Sequence, residues 1–317
     1  MNNRRLLIIL AVILFTSCHN KEQIFPDYEY QTVYFSYQHP VRTITLGEDI
    51  VNTDLDNAHR CMIYATLGGV YVNRKNVSVN FSVDNSLISG VTFKDGSAVK
   101  AMPSSYYTLG ANTIVIHKDS LSGGVDVQLT DDFFKDPDAI KNTYVIPLKL
   151  TDVTNADSII SDKNYILYAV KYINPWHGYY LRRGVDNITG KNGNTALNST
   201  NIRHQQYVEK DDIELLTTKA LHTITFPLVF KDKDGTNINC SLLLDFDDQH
   251  NCTVRSGTQG VTATGTGKFV KRGEKNSWGN VDRDGLYLEY EIDFPDMHIV
   301  TKDTLVMRNR GVKMETF

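Results

Sequence analysis

The chain has 317 residues, enough for two ordinary domains with real cores even after removal of a leader. Hydrophobic residues make up 41% and charged residues 22%, and 33 basic against 37 acidic side chains leave a net charge of -4, which excludes a basic surface that tracks nucleic-acid phosphates. With 17 Tyr, 13 Phe and 2 Trp the chain is rich in flat ring surface, and no low-complexity tract is long enough for extended disorder.

The first element is an export signal. Arg4 and Arg5 precede Leu6 to Phe15, an apolar run too short to cross a ~30 Å hydrocarbon core as a stable helix. Phe15-Thr16-Ser17-Cys18 then resembles the lipobox of bacterial lipoproteins. That resemblance implies acylation of Cys18, with 1–17 as signal peptide and 18–30 as a tether. Phe15 stands where Leu is usual, so a soluble periplasmic product is the alternative. Lys21-Glu22 resembles the short export tag of surface-exposed lipoproteins from gut-type Gram-negative anaerobes; it also reads as a plain solvated tether. No later segment approaches ~18 consecutive apolar residues, so the lipid is the one membrane attachment expected.

Beyond the tether, period-2 alternation organises the chain. Val77 to Asp84 places Val77, Val79, Phe81 and Val83 on one face, the signature of a half-buried strand. Thr113 to Lys118, Gly124 to Leu129 and Thr143 to Leu150 pass the same test, and Thr32 to Ser36, Arg60 to Thr66 and Tyr165 to Lys171 are weaker strands. With turns expected at Lys94-Asp95-Gly96 and Ser122-Gly123-Gly124, residues 31–173 read as an antiparallel β-sandwich. Pro147 within a strand predicts an edge position or a bulge.

Ile173-Asn174-Pro175-Trp176-His177-Gly178 interrupts the pattern and marks a domain boundary, after which Tyr179 to Arg183 starts a new run. Asn187 to Asn201, rich in Asn, Gly, Ser and Thr, reads as a long exposed loop. Strands resume at Leu221 to Phe230, Ile238 to Phe246, Cys252 to Ser256, Val261 to Val270, Leu286 to Phe294 and Ile299 to Arg308, while Glu209 to Leu216 suits either helix or strand. A meander of this length closes to remove its edges, so 174–317 reads as an up-and-down antiparallel β-barrel. Of the cysteines after Cys18, Cys61 reads as a buried hydrophobe. A hairpin turn at Asp248 and Gln249 sets Cys240 opposite a residue near Arg255 to Gly257 and Cys252 opposite Asp245, beyond disulfide reach.

Tyr106-Tyr107-Thr108-Leu109, the Thr143 to Pro147 strand, the Ile173 to Gly178 junction, Gly265 to Phe269 and Lys302 to Arg308 together resemble the two-domain surface lipoproteins encoded beside starch-utilisation-system-type glycan importers. That resemblance implies an all-β chain with an immunoglobulin-like sandwich and a lipocalin-like, calycin-like barrel. It further implies an outer-membrane protein facing the cell exterior that captures polysaccharide or oligosaccharide beside an importer.

Motifs for reaction chemistry do not accumulate. The histidines come no closer than His204 and His222, no His-Glu-x-x-His or Gly-x-Ser-x-Gly occurs, and Phe269 follows Gly265 to Lys268 where a phosphate loop needs Ser or Thr. Asn280 to Gly285 with Glu291 matches a calcium-loop spacing, but the flanking helices are missing and an Asp-Gly turn explains it better. The expectation is therefore a non-enzyme with no cofactor and no metal. Sugar C–H faces stack on rings while hydroxyls bind planar polar groups, which makes Trp176, Tyr179, Tyr180 and Trp278 the candidate carbohydrate-binding residues. Packing at the junction or in the barrel competes for Trp176 and Tyr180; Trp278, in a polar loop, is the foremost candidate. The other reading is a structural or adhesive protein, or a barrel holding a small apolar ligand. An open apolar barrel mouth would favour the small ligand; a flat aromatic platform on the surface would favour carbohydrate.

Overall fold

The computed structural model describes Tyr28 and residues 30–317; the segment expected to be an export signal, Cys18 and Lys21-Glu22 lie outside the described residues. The N-terminal strands are β1 (Thr32–Tyr34), β2 (Pro40–Thr45), β3 (Arg60–Gly68), β4 (Val77–Val83), β5 (Lys100–Ala101), β6 (Tyr107–Leu109), β7 (Thr113–Ile116), β8 (Ser122–Leu129), β9 (Tyr144–Thr154), β10 (Ser158–Ile159) and β11 (Tyr165–Ile173). One sheet runs β10-β1-β3-β8-β6 and the other contains β2-β11-β9-β4-β7, with β5 beside β9. Their inner faces share one core, in which Phe35, Ile63 and Val127 of the first sheet meet Val79, Ile114 and Ile146 of the second. This is the expected sandwich, although β2 runs parallel to β11 and β1 parallel to β10, so it is not wholly antiparallel.

Three local expectations are corrected. Gly123 and Gly124 do not turn the chain but lie within β8, where a Cβ on Gly123 would come within 2.2 Å of the Val115 carbonyl oxygen. Pro147 is in a central strand, between β11 and β4. It is tolerated there because its carbonyl receives Asp84 N–H just beyond the end of β4, so its missing N–H faces the point where that neighbour has left the ladder. Val83, the last residue of β4, is 44% exposed although Val77, Val79 and Phe81 of the same alternation are buried.

The C-terminal strands are β12 (Gly178–Gly190), β13 (Ser199–Arg203), β14 (Asp212–Ala220), β15 (Thr223–Lys231), β16 (Asn237–Phe246), β17 (Asn251–Ser256), β18 (Thr262–Glu274), β19 (Arg283–Asp293) and β20 (Met297–Asn309). β12 pairs with both β14 and β20, which closes an eight-stranded antiparallel barrel, as the meander predicts. Asn187 to Asn201 is not one long loop: β12 continues to Gly190 and β13 returns along it from Ser199. The ambiguous Glu209 to Leu216 segment starts in a 3-10 turn (Val208–Lys210) and enters β14 at Asp212. Cys252 faces Phe246 rather than Asp245, a one-residue difference from the expected register that puts it on the inner face, where Cys240 lies in phase with Leu242, Leu244 and Phe246. Cys61, Cys240 and Cys252 are all free and buried.

After β20 the chain leaves the barrel. β21 (Glu315–Thr316) joins the edge of β2 in the sandwich, and Phe317 packs against Phe93 and His39. Just before this tail sits Arg310, 4% exposed, whose guanidinium donates to the carbonyl oxygens of His177 (2.7 Å), Glu48 (2.9 Å), Leu46 (3.0 Å) and Asn174 (2.6 Å). Those acceptors belong to the sandwich loop and to the linker. Asn174 reaches the other way: its Nδ2 donates to Ala220 O and Thr223 O, both at 3.0 Å. The Asn-Pro-Trp-His segment is thus a hydrogen-bonded joint rather than a flexible spacer.

This joint makes two outcomes measurable. Arg310→Met leaves buried carbonyls without donors, and should lower stability by at least ~2 kcal/mol and expose the linker near Pro175 to limited proteolysis. His177 accepts Thr218 N–H at Nδ1 (3.0 Å), and burial pulls its pKa down from the usual 6.5 to about 4. Because the folded value is the lower one, the unfolded chain binds the extra proton. Stability is full above 6.5 and falls as pH drops towards 4, by up to ~3 kcal/mol. Urea unfolding at pH 7.5 and pH 5 should show this loss, and His177→Asn, which keeps an acceptor but does not titrate, should flatten it.

Candidate functional site

The four aromatic candidates collect at the end of the barrel that meets the sandwich, but not on one surface. Trp176 is 3% exposed and stacks on Phe246 at 4.0 Å with the planes 8° apart. Tyr180 is fully buried and donates to Trp176 O at 2.8 Å. Neither ring is open to a polysaccharide: alternation along β12 turns Tyr180 inward, and the joint folds Trp176 over the barrel end. Tyr179 points outward, half-buried, with Gly311 of the tail against its ring edge. Trp278 is half-buried; its indole donates to Met307 O at 3.4 Å, and the Arg283 guanidinium lies 3.5 Å from the ring centroid, covering one face.

Beside Trp278 lies a cleft of about 250 Å³ between the domains, lined by Glu48, Asp49 and Ile50 of the sandwich and by Lys271, Arg272 and Arg283 of the barrel. Its charges are largely engaged with each other. Glu48 takes Lys271 at 3.0 Å and Arg272 at 3.2 Å, and the Lys271 ammonium holds its carboxyl below the usual range. Residues of the calcium-like spacing are likewise occupied within their own turn: Asp282 accepts from Lys275 Nζ (2.9 Å) and Asn276 N–H (3.0 Å), and Asp284 accepts from Arg272 N–H (2.7 Å). Among the described residues no three metal-ligating side chains converge. The barrel interior is filled by side chains such as Phe226, Leu242, Leu288 and Leu305, as expected for eight strands. It presents no open apolar mouth at the end where Trp176 sits.

A flat aromatic surface does exist, on the outer face of the sandwich. Val33 and Phe35, Ile63 and Ala65, and Val125 and Val127 face inward, so Tyr34, Tyr64 and Gly124 of the adjacent strands β1, β3 and β8 face outward. Tyr64 pairs directly with Gly124, and Thr32 with Gly68. A Cβ on Gly124 would sit 3.0 Å from both Cδ1 and Cε1 of Tyr64 and 2.8 Å from Met62 Cε; one on Gly68 would sit 2.9 Å from Tyr34 Cε1. Each ring therefore lies down over a glycine on the neighbouring strand instead of standing off the sheet. With one side on the backbone, Tyr64 is still 54% exposed, which leaves its outward face to solvent.

Polar groups frame these rings. Ser36 Oγ and Thr66 Oγ1 are 2.8 Å apart beside Tyr34, Arg60 Nε donates to Asp126 Oδ1 at 3.0 Å beside Tyr64, and Lys163 Nζ is 5.6 Å from the Tyr34 ring centroid. Stacking surface next to hydroxyl, guanidinium and carboxylate groups is the combination a pyranose requires. Sequence reasoning passed over both tyrosines because an isolated Tyr in a strand reads as core or cross-strand packing. The available signal was their outward parity together with glycines in the strands that pair with them.

Residues 175–311 match the family Domain of unknown function (DUF5627), and residues 28–157 match a family of N-terminal domains. No functionally curated protein matches the chain. A structural-genomics protein of unknown function from Bacteroides ovatus is 43% identical, with 92% of this chain and 99% of that chain covered and a TM-score of 0.86. More distant likenesses include a multidomain protein including DUF1735 from Bacteroides ovatus (14% identity, 90% of this chain and 100% of that chain, TM-score 0.45). Another is an auxiliary nutrient binding protein from Bacteroides thetaiotaomicron (13% identity, 84% of this chain and 90% of that chain, TM-score 0.41). Likeness at that level says nothing further about this chain. At 43% identity over nearly the whole length of both chains, however, the protein belongs to the same two-domain family as the Bacteroides ovatus protein, with DUF5627 as its C-terminal module.

Proposed function

We propose that this protein is a lipid-anchored, non-catalytic carbohydrate-binding protein at the outer-membrane surface, serving as an accessory to a glycan importer. The observation that carries the reading is the pair of tyrosine rings laid against Gly68 and Gly124 on the outer sheet face, Tyr64 54% exposed and Tyr34 half-buried. A flat face of two rings on adjacent strands suits a polymer that lies across a surface, since it has no walls to enclose a small molecule. Binding of this kind needs no reacting group: the sugar is held by stacking and by the Arg60–Asp126 and Ser36–Thr66 pairs around it. The lipobox-like Phe15 to Cys18 segment supplies the anchor in this reading, and Cys18 its attachment point.

Affinity electrophoresis through gels containing plant, mucosal and yeast polysaccharides tests the face. At least one polymer should retard the wild type, and Tyr64→Ala should weaken that interaction about tenfold, or ~1.4 kcal/mol. Gly124→Val should do nearly as much without removing an aromatic ring, because the new side chain lifts Tyr64 off the sheet at an extended position where Val is tolerated. Trp278→Ala should bind as the wild type does, given that its ring is tied to Arg283 and Met307. Retention untouched by Tyr34→Ala, Tyr64→Ala and Gly124→Val together would remove the platform from consideration.

The anchor is tested separately. Wild-type protein should enter the detergent phase on Triton X-114 partitioning and Cys18→Ala should stay in the aqueous phase. Equal partitioning of the two would rule out acylation at that thiol.

A further inference from the structure

The barrel wall has an opening on one side. β13 and β14 share a single edge of β12, β14 along Gly178–Arg182 and β13 along Gly184–Ile188. β14 meets β15 only near Thr217 to Ala220, so among the described residues the half of β15 from Phe226 to Lys231 bonds to β16 alone. Between that half-strand and β13 lies a pocket of about 430 Å³, with Ile188, Leu197 and Phe230 on its walls and Asp186, Asn201 and Arg203 among its polar groups.

Its floor is charged, in a barrel otherwise filled with hydrocarbon. Arg182 is 7% exposed, Asp186 3% and Asp303 1%. Arg203 pairs with both Asp186 and Asp303, and Arg182 Nε donates to Asp303 Oδ2 at 3.1 Å. Tyr290 Oη donates to Asp303 Oδ2 and Thr301 Oγ1 to Asp186 Oδ1, each at 2.7 Å. Such a network is a poor way to stabilise a barrel: apolar side chains of equal volume serve as well or better, because burying ions costs several kcal/mol each. Arg203 Nε, moreover, is buried with no hydrogen-bond partner, a donor left over after the two aspartates are satisfied.

We propose that this side pocket is a second binding site, and that it takes a neutral, hydroxyl-rich ring of one or two sugar units. Arg182 and Arg203 are matched by the buried Asp186 and Asp303, and Lys231 by Asp232 on the lining, while Glu214 lies 3.9 Å from Arg182; no positive charge is left over for an anion, and every carboxylate of the floor already has a cationic partner. A hydrocarbon ligand would strand the charges. A pyranose has hydroxyls that accept from guanidinium and donate to carboxylate, and a C–H face for Phe230 and Leu197. The choice of sugar as ligand class rests on the carbohydrate reading above, but the site is physically separate from the tyrosine face.

Isothermal titration with methyl glucoside, methyl mannoside, methyl galactoside, maltose, cellobiose and xylobiose tests the proposal. At least one should bind the wild type saturably. Ser199→Trp, an exposed position that fills the mouth of the pocket without touching the ion network, should weaken that sugar at least tenfold, and Asn201→Ala, also exposed, severalfold. Unchanged unfolding temperatures confirm that both variants fold. The doubly substituted Tyr34→Ala, Tyr64→Ala protein should bind the small sugars normally. Failure of every sugar, or wild-type affinity in Ser199→Trp, overturns the pocket and leaves the polysaccharide result on the sheet face as it was.

Discussion

One guanidinium fixes the geometry of the whole molecule. Arg310 arrives from the end of the last barrel strand and places its N–H groups on carbonyls of the sandwich loop and of the linker, at a point shut off from solvent. A lysine could not do this, since its ammonium has no planar fork to reach several oxygens at once. Asn174 completes the joint from the opposite side by binding strands β14 and β15. The Asn-Pro-Trp-His segment, which looks like a spacer, is consequently the most densely bonded part of the boundary, and Trp176 and His177 are spent on it.

That expenditure explains why the conspicuous aromatics are not the accessible ones. Trp176 seals the barrel end against Phe246, Tyr180 is held beneath it, and the half-buried Trp278 carries Arg283 over one face. Tryptophan in a junction motif draws attention because it is rare, but rarity tracks large buried area at least as often as ligand contact. On the sheet face the ring most open to solvent is an ordinary tyrosine, Tyr64, with the half-buried Tyr34 on the next strand, both laid against glycines.

Strands were legible where long apolar alternation marks a buried face: β4, β7, β8, β9 and the barrel strands β15 to β20 are all readable from the positions of Val, Ile, Leu and Phe. Strands that are short or polar on both faces were not. β13 has no buried residue to betray it, β2 begins at a proline, and β5, β6, β10 and β21 have two or three residues each. Pro147 misled for a related reason, since its tolerance depends on where a neighbouring strand ends, which is a tertiary fact. The tyrosine face and the side pocket were hidden for the same cause at larger scale. Tyr64 acquires meaning only opposite Gly124, and Arg182, Asp186, Arg203, Tyr290 and Asp303 are far apart in the chain until the barrel closes.

The returning tail sets an order of events during synthesis. The β2 edge of the sandwich is completed by β21, which the ribosome makes only after every barrel strand, so the first module carries an open strand edge while the second is still being produced. The clasp can close only when Phe317 reaches Phe93, so that edge stays unpaired until the last residues of the chain are made.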